Sequence, residues 1–483
     1  MSSPPVPSEA RSLTAAHWSL IRDPRDSDLR VLRDAKSRAR GDLDLSEWSR
    51  QGHAWRAPLE EPPPLGSIAR VSAPALTPRD FVVRFEAPGL PCLINGLAAA
   101  WPAWARRAWE PGALHGAYRS RRFRCGEDDG GRPVKVKLKH FLRYMKSQRD
   151  DSPLYVFDSM YNDDRTPSQL LGEYAVPPHF GEDLLALVGE HRRPPYRWML
   201  LGPVRSGTGV HVDPLATSAW NTLLHGRKRW VLFEPGFSKA EVKGREFVRA
   251  GEDDEPIDYF LNVLPRLKAA RGPALTARMI EFTQRAGETI FVPGGWWHAV
   301  LNLEDTVAVT QNFCSTTNFD AVWAAAAEGR RGMARKWLRA LRAARPDLAA
   351  RAEARNEAAG WREAALAEAH RRRKAVVAAE REARQAARRA ARAAGAAAGA
   401  GVKADSSESS SSSSSDGATS SSGSVTSLSS LSSTEQRRRK QALCSVGGGG
   451  GGGDGRGGGA PAAEEGWARE NGALRKKRRA RGP

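Results

Sequence analysis

The chain has few cysteines and no long apolar stretch, and each absence excludes a class of protein. Four of its 483 residues are cysteine (Cys92, Cys125, Cys314 and Cys444), and no two of them form a CxxC pair. This pattern predicts reduced thiols in an intracellular protein rather than a disulfide framework. No run of about 18 strongly apolar residues is present, so we predict no membrane span. The first residues also lack the apolar core of a signal peptide.

Acidic residues are scarce relative to basic ones. The 75 lysines and arginines outnumber the 55 acidic residues, which gives a formal charge of +20. Such an excess predicts an acidic or polyanionic partner, such as RNA or chromatin. Basic clusters occupy residues 371–374, 437–440 and 475–479. They are either nuclear import signals with a second use in nucleic-acid contact, or solvated charge that keeps a tail soluble. Because several occur in one chain, we predict a nuclear protein.

Composition divides the chain into five predicted segments. The first is a basic, partly helical arm that either wraps the core or binds a partner, and the last is a disordered tail. The tail is rich in serine, glycine and basic residues, and cannot bury enough apolar surface to fold. The predicted segments are the arm at 1–64, a helix and strand region that buttresses the core at 65–165, the strand-rich core domain at 166–330, an Ala/Arg-rich helical region at 331–394, and the tail at 395–483.

Short strands punctuated by glycine and proline fill the region after Tyr196. This pattern predicts a mainly β core, which would be an antiparallel sandwich or barrel with helical additions. An irregular acidic insert, including residues 251–255, separates the early strands from the later ones. Thr77 before Pro78 predicts a helix start. Met333, Trp337 and Leu341 predict one apolar stripe of a helix that ends at Pro346.

A possible metal site lies in the strand region. His211 and Asp213 are separated by one residue, so both side chains project from the same face of an extended strand. His298, on a later strand, offers a third ligand. Two histidines and one carboxylate form the facial triad that holds non-haem Fe(II) while leaving positions open. A lone His-x-Asp pattern occurs by chance, but the three residues together predict a metal centre.

Other polar residues favour an acidic co-substrate beside this centre. Lys228 follows a strand and a turn from the metal segment, where its ammonium can pair with a dicarboxylic acid. Thr208, Asn221 and Thr310 are small polar residues on strands that otherwise read as buried. Buried polar groups need partners. A bound acid would supply them, or these side chains bond only to the backbone.

Long stretches around these residues resemble the JmjC-domain 2-oxoglutarate oxygenases. The similarity is greatest to the bifunctional arginine demethylase and lysyl-hydroxylase members, and it runs from about residue 65 to 345. A serine tract with basic clusters is also shared with them. The similar stretches are residues 149–159, 192–198, 202–221, 226–230, 286–298, 310–313 and 315–319, with Ala286 in place of the family's proline.

The resemblance implies a fold and a set of site residues. The fold would be a double-stranded β-helix, the jelly-roll or cupin-like JmjC core. His211, Asp213 and His298 would bind Fe(II), and Lys228 would pair with the distal carboxylate of 2-oxoglutarate. With O2 these are the implied cofactors. The remaining pocket positions implied for the co-substrate are Thr208, Asn221, Thr310, Tyr155 and Trp198.

The substrate stays open at this stage. The resemblance implies hydroxylation of lysine in nuclear proteins, such as Arg/Ser-rich splicing factors or histone tails, and demethylation of methyl-arginine as a second activity. The acidic insert could favour a basic peptide, or it is an ordinary solvated loop. Alternative hypotheses are an oxygenase acting on RNA and a non-catalytic scaffold that binds RNA or chromatin. The Ala/Arg-rich helix and the glycine tract, which depart from the family pattern, leave open a homo-oligomer.

Overall fold

The computed structural model describes residues 15–56, 58–161, 169–252 and 254–360, with six further helical positions between 372 and 382. Contacts divide the described part of the chain into two units, residues 15–353 and the described residues from 354 onward. The sheets and the candidate site lie in the first unit. The predicted tail at 395–483 and its basic clusters lie outside the described residues, as does most of the predicted Ala/Arg-rich helical region beyond Gly360.

Strands form the centre of the first unit. Their bounds are β1 (Ala69–Ser72), β2 (Cys92–Asn95), β3 (Arg122–Glu127), β4 (Pro133–Lys137), β5 (Val156–Asp158), β6 (Arg197–Gly202), β7 (Gly207–His211), β8 (Ser218–His225), β9 (Arg227–Phe233), β10 (Met279–Arg285), β11 (Glu288–Val292), β12 (Trp297–Asn302) and β13 (Thr306–Phe313). The strands predicted after Tyr196 are therefore present, and β10 is a strand that was not predicted.

The strands form two large sheets whose order gives the jelly-roll. The major sheet has the order β1-β2-β11-β8-β13-β6-β5, and the minor sheet has the order β10-β9-β12-β7. From β6 to β13 the chain passes repeatedly between the two sheets, and only β9 and β10 are successive strands of the same sheet. Every pair is antiparallel except β1 with β2. A separate hairpin joins β3 to β4. The predicted double-stranded β-helix is confirmed.

Side-chain alternation gives each sheet an inner and an outer face. Trp230, Leu232 and Val300 of the minor sheet pack with Ile290 and Val292 of the major sheet, so these residues lie between the sheets. Their neighbours of opposite parity in the minor sheet pack outward against the helices that follow β9. The outer face of the major sheet packs against helices from the first half of the chain. The space between the sheets is thus shielded on both sides.

Helices cover the outer faces. The α-helices are α1 (Ala15–Trp18), α2 (Asp26–Ala39), α3 (Pro78–Phe81), α4 (Pro102–Ala105), α5 (Pro111–Tyr118), α6 (Leu138–Ser147), α7 (Lys239–Lys243), α8 (Pro256–Asp258), α9 (Leu264–Arg271), α10 (Pro273–Thr276), α11 (Phe319–Gly329), α12 (Arg331–Ala344) and α13 (Pro346–Ala358). Short 3₁₀ helices occupy Leu45–Ser49, His53–Trp55, Ala73–Ala75, Gln169–Glu173, Pro178–Phe180, Leu184–Val188, Pro214–Ala216 and Arg245–Phe247, and π-helical turns occupy Val82–Glu86 and Tyr259–Val263.

The described part of the N-terminal arm packs onto the core. Trp18, Ile21 and Leu32 are buried in the same apolar cluster as the major sheet. Lys36 on α2 forms an ion pair with Asp150 at 2.6 Å, and the hydroxyl of Tyr144 donates to the same carboxylate. Arg205 donates to the Asp150 carbonyl oxygen at 2.9 Å. Of the two roles left open for the arm, wrapping the core is the one observed in the described residues.

Local predictions were met unevenly. Thr77 caps α3 by accepting a hydrogen bond from the backbone N–H of Asp80, as predicted. The stripe on α12 buries Trp337 and Leu341, and α12 ends at Ala344 just before Pro346. The predicted insert is irregular at residues 251–252 and 254–255, but the segments on either side of it, between β9 and β10, are mostly helical and were not predicted. Among the described residues no helix is both long and apolar enough to cross a membrane.

Candidate functional site

Three metal-binding side chains meet at one end of the minor sheet. His298 on β12 lies directly opposite His211 on β7, with 4.2 Å between ring centroids. Asp213 follows two residues after the end of β7. The ligand atoms of the three side chains all lie within 4.8 Å of one another. Across the described residues this is the one group of three such side chains found at that spacing.

Both imidazoles are held in the tautomer that a metal requires. Nδ1 of His211 donates to the carbonyl oxygen of Gly209 at 2.8 Å, and Nδ1 of His298 donates to that of Trp296 at 3.1 Å. A carbonyl oxygen can only accept, so the proton is on Nδ1 and the lone pair is on Nε2. Burial, together with the nearby His298, lowers the pKa of His211 to about 3. The His211 ring is therefore neutral at physiological pH.

Asp213 supplies the negative charge of the group. β7 ends at His211, but the backbone remains extended at Asp213 (φ −62°, ψ 142°), so the predicted alternation continues past the strand. Its Oδ2 atom is buried without a hydrogen-bond partner, and burial raises the pKa of this carboxyl. A buried carboxylate oxygen without a partner is costly. A divalent cation held with the two histidines would satisfy it, so the residues fit the metal.

Close backbone packing fixes this end of the site. After Asp213 the chain turns through Leu215 and Ala216, which both have positive φ. A Cβ atom at Gly294 would collide with the carbonyl oxygen of Ala216. Only glycine therefore allows the loop before His298 to approach the turn after Asp213 so closely. The Gly294-Gly295 pair thus serves the geometry of the ligand cluster.

A β-bulge brings Thr208 onto the face that carries the metal ligands. His298 pairs with His211 and Val300 pairs with Thr208, so β7 advances three residues while β12 advances two. The extra residue reverses the alternation within β7. Without it Thr208 and His211 would lie on opposite faces. Thr208 is buried, and its register opposite Val300 places it on the inner face of the minor sheet.

Lys228 lies further along the same inner face. It is on β9 opposite Asn302, four residues from Leu232, which lies opposite His298. The side chain is 1% exposed, and its Nζ atom lies 3.5 Å from the hydroxyl of Tyr155. Within the described residues no carboxylate pairs with it, and burial lowers the pKa of Lys228 to about 7. A dicarboxylic acid in the cavity would provide the missing counter-charge, so the site also fits 2-oxoglutarate.

The major sheet contributes a row of neutral polar groups. Thr310 pairs with Asn221 on one side and with Trp198 on the other. The Thr310 hydroxyl donates to the carbonyl oxygen of Trp220 at 2.8 Å, which is the backbone-bonded alternative. Asn221 differs, because its buried Oδ1 atom has no hydrogen-bond partner. Trp198 and Tyr155 pack against the same small apolar cluster. Because the Tyr155 hydroxyl lies 3.5 Å from Nζ of Lys228, the row faces Lys228.

Asn302 was missed by sequence reasoning. It is fully buried opposite Lys228, and its Nδ2 atom donates to the Ser206 hydroxyl at 2.9 Å. It thus fastens β12 to the start of β7. The signal was its spacing, because residue 302 is four positions after His298 and must share its face.

Comparison with known proteins agrees with this geometry. Residues 198–313, from β6 to β13, match the family model described as JmjC domain, hydroxylase. The chain is 42% identical over 314 residues to the bifunctional arginine demethylase and lysyl-hydroxylase psr-1 of Caenorhabditis elegans, covering 65% of this chain and 77% of that protein. It is 42% identical to lysine-specific demethylase JMJ21 of Arabidopsis thaliana, covering 52% of this chain and 26% of that one. For the human 2-oxoglutarate and iron-dependent oxygenase JMJD4 the identity is 30%, covering 53% and 64%.

The match defines a JmjC hydroxylase domain at the centre of the chain. Since 77% of psr-1 is covered at this identity, the chain belongs to the JmjC-domain family of 2-oxoglutarate oxygenases, alongside the bifunctional arginine demethylases and lysyl-hydroxylases. It is a 2-oxoglutarate-dependent dioxygenase that uses Fe(II), 2-oxoglutarate and O2.

Proposed function

We propose that this enzyme hydroxylates lysine side chains of basic proteins, with His211, Asp213 and His298 as its Fe(II) ligands. The observation that supports this assignment is the meeting of their ligand atoms within 4.8 Å in a shielded cavity. Lys228 binds the distal carboxylate of 2-oxoglutarate. Thr208, Asn221, Thr310, Tyr155 and Trp198 complete the co-substrate pocket, with Asn221 offering a polar atom that has no partner in the protein.

The chemistry divides between the bound groups and the protein. Fe(II) with 2-oxoglutarate and O2 supplies hydroxylation of a C–H bond, with release of succinate and CO2. His211, His298 and Asp213 would hold the metal, and two histidines with one carboxylate are the ligand set that suits non-haem Fe(II). The Lys228 ammonium orients the co-substrate by a charge-assisted pair. The inner walls of both sheets, including Trp230, exclude water from the cavity.

One reaction accounts for both activities that the psr-1 name combines. Hydroxylation at a side-chain carbon of lysine gives a stable alcohol. Hydroxylation of an N-methyl group gives an unstable hemiaminal, which releases formaldehyde and leaves the amine demethylated. We rank lysyl hydroxylation first and methyl-arginine demethylation second for this enzyme. The substrate therefore decides the product, while the site performs the same step.

The acidic insert does not support substrate recognition. Glu252 pairs with Arg266 at 2.6 Å, and Glu255 pairs with Arg40 at 2.7 Å. Both carboxylates are paired within the protein. Neither hypothesis made for this insert therefore describes these two residues, since they are not available for peptide recognition and do not form a solvated loop. Recognition of a basic peptide must rest on other groups.

Location and partners belong to the same proposal. The clusters at 437–440 and 475–479 support nuclear import, and a nuclear lysyl hydroxylase would meet Arg/Ser-rich splicing factors and histone tails. RNA contact through the basic tail is compatible with this role. Deleting residues 395–483 should abolish nuclear retention, measured by imaging of a fluorescent fusion, while peptide turnover by the purified protein stays unchanged. Retention without the tail would contradict the assignment.

A direct test uses the purified chain with Fe(II), 2-oxoglutarate and a lysine-rich peptide. Succinate should form faster with the peptide than without it, and mass spectrometry should find one added oxygen atom on lysine. The matched peptide with arginine in place of every lysine should give neither result. Absence of peptide-stimulated succinate would refute the proposal. An oxidised nucleoside from added RNA, with unmodified peptide, would replace it with an RNA oxygenase.

A further inference from the structure

A second cleft, remote in the chain from the metal ligands, is lined by basic side chains alone. Arg192, from the turn after the 3₁₀ helix Leu184–Val188, lines it together with Lys336 and Arg339 of α12. Its volume is about 320 Å³. We call these three residues and the space between them the basic cleft. Nothing in the proposed hydroxylation uses it.

Both walls of the basic cleft belong to packed structure. The indole N–H of Trp337, which is fully buried, donates to the carbonyl oxygen of Leu184 at 2.9 Å and so fixes α12 to the 3₁₀ helix. Gly189 has φ +87° and turns the chain there, and the N–H of Arg192 donates to its carbonyl oxygen at 2.9 Å. Lys336 and Arg339 are three residues apart on α12, so they share a helix face. The cations therefore converge because the backbone places them there.

The acidic groups nearby in the chain are already neutralised by other arginines. Asp183 pairs with Arg193 at 2.7 Å, and Glu190 pairs with Arg197 at 2.7 Å. By contrast, in the part of the chain that the structure describes, Arg192, Lys336 and Arg339 form no ion pair and no side-chain hydrogen bond. Three like charges lining one small cleft repel one another. An anion with several oxygen acceptors would remove that repulsion.

We propose that the basic cleft binds a phosphate monoester group. Guanidinium groups match phosphate oxygens with two parallel hydrogen bonds, and a lysine adds a point charge. Clusters of arginine are a recurring means of recognising phosphorylated protein segments. No aromatic side chain lines the cleft. Single-stranded nucleic acid relies on aromatic stacking for much of its binding, so an isolated phosphate group fits better than an RNA strand.

The test measures binding of a fluorescent phosphoserine peptide to the full chain. The same peptide with unmodified serine, inorganic phosphate as competitor, and a single-stranded RNA of equal charge are the other arms. The phosphopeptide should bind at least about tenfold more tightly than the serine peptide, since each charge-assisted contact contributes strongly. Competition by inorganic phosphate at lower concentration than by phosphopeptide would assign the free ion as the source, and the reverse would assign a phosphoprotein.

Variants locate the binding. Arg339→Gln should weaken phosphopeptide binding about tenfold, whereas Arg342→Gln, which removes the same charge from the same helix but pairs with Glu353 instead of lining the cleft, should not. Arg192→Lys keeps the charge but loses the planar guanidinium group that can make two parallel hydrogen bonds, so it should weaken binding by an intermediate factor. The basic clusters of the tail are present in every variant and give the same background.

Three results would overturn the proposal. They are equal binding of the phosphorylated and plain peptides, equal effects of Arg339→Gln and Arg342→Gln, and RNA binding with the same losses as the phosphopeptide, which would make the cleft a nucleic-acid surface. Hydroxylation of an unmodified lysine peptide should be unchanged in all variants. The binding assay needs neither Fe(II) nor 2-oxoglutarate, so its outcome does not depend on the proposed hydroxylase activity.

Discussion

The two sheets line one cavity but carry different kinds of polar group. The minor sheet, with the residues just after β7, presents ionisable side chains, namely His211, Asp213, His298 and Lys228. The major sheet presents the neutral row of Asn221, Thr310 and Trp198. Burial perturbs the first set, raising the pKa of Asp213 and lowering that of Lys228. In the second set the Thr310 hydroxyl is satisfied by the backbone. We therefore propose that the minor sheet holds the metal and the distal carboxylate of the co-substrate, while the major sheet shapes the pocket.

The largest effect should follow from removing the carboxylate of the minor sheet's cluster. Asp213→Ala should reduce peptide-stimulated succinate formation by more than about 100-fold, because loss of even an outer hydrogen-bond partner of a metal ligand costs about 10–100-fold. The metal-free variant should unfold in urea at a concentration close to that of the parent, since Oδ2 of the lost carboxylate has no partner and burial disfavours its charge. Substantial turnover in a folded variant would show that Asp213 is not needed for the reaction, and would contradict the roles proposed for the two sheets.

Lys228→Met should raise the KM for 2-oxoglutarate by about 10–100-fold, because a charge-assisted pair contributes about 1.5–3 kcal/mol. Succinate formation at varied 2-oxoglutarate measures it. The metal-free variant should be as stable as the parent or more so, since a buried ammonium without a carboxylate is removed. An unchanged KM would show that the distal carboxylate binds elsewhere.

The affinity for 2-oxoglutarate should depend on pH through Lys228. In the unliganded protein the pKa of Lys228 is lowered to about 7 from its ordinary 10.5, so above pH 7 the amine is neutral and binding of a carboxylate must take up a proton. The Kd should therefore rise by up to about tenfold per pH unit above pH 7. Calorimetry in buffers of different ionisation heat would detect the proton uptake. Lys228→Arg keeps its charge and should flatten the profile.

The smallest effects should come from the major sheet, and its two paired residues should differ. Asn221→Ala should raise the KM for 2-oxoglutarate by about 3–10-fold, because its Oδ1 atom has no partner in the protein. Thr310→Val should change that KM by less than about threefold but lower the free energy of unfolding by about 1 kcal/mol, through loss of the bond to Trp220. A larger effect on KM for Thr310→Val than for Asn221→Ala would show that Thr310, and not Asn221, contacts the co-substrate.

Much of the candidate site could be predicted because its signals are local or periodic. His211 and Asp213 lie two residues apart, and an extended backbone alone puts them on one face. The burial of Thr208 could be expected from its strand, but the β7 bulge that places it on the face of the metal ligands leaves no mark in the sequence. Asn302 was missed because it looks like an ordinary residue at a strand end, and its importance comes from the cross-strand position opposite Lys228.

The parts of the fold that were missed depend on distant pairing. β10 reads as a polar segment because Glu281 stands in its middle. In the structure that glutamate is buried and held by Arg229 and Lys268, both at 2.8 Å. No local rule can indicate that two cations from other elements will neutralise a strand glutamate. The helices before β10 were missed because their apolar residues pack onto the outer face of the minor sheet. That surface exists only after folding.

The contacts that Lys36, Tyr144 and Arg205 make with Asp150 determine how much of the chain a shortened protein must retain. A fragment beginning at residue 65 would keep the complete jelly-roll, yet it would leave the Asp150 carboxylate without Lys36 and uncover the apolar residues that the arm contacts. Losing the partner of such a buried group costs about 1–3 kcal/mol. Arg205, bound to the same loop, begins the stretch that leads into β7. Crystallisation or engineering of a minimal enzyme should therefore start upstream of Trp18 and end after α12.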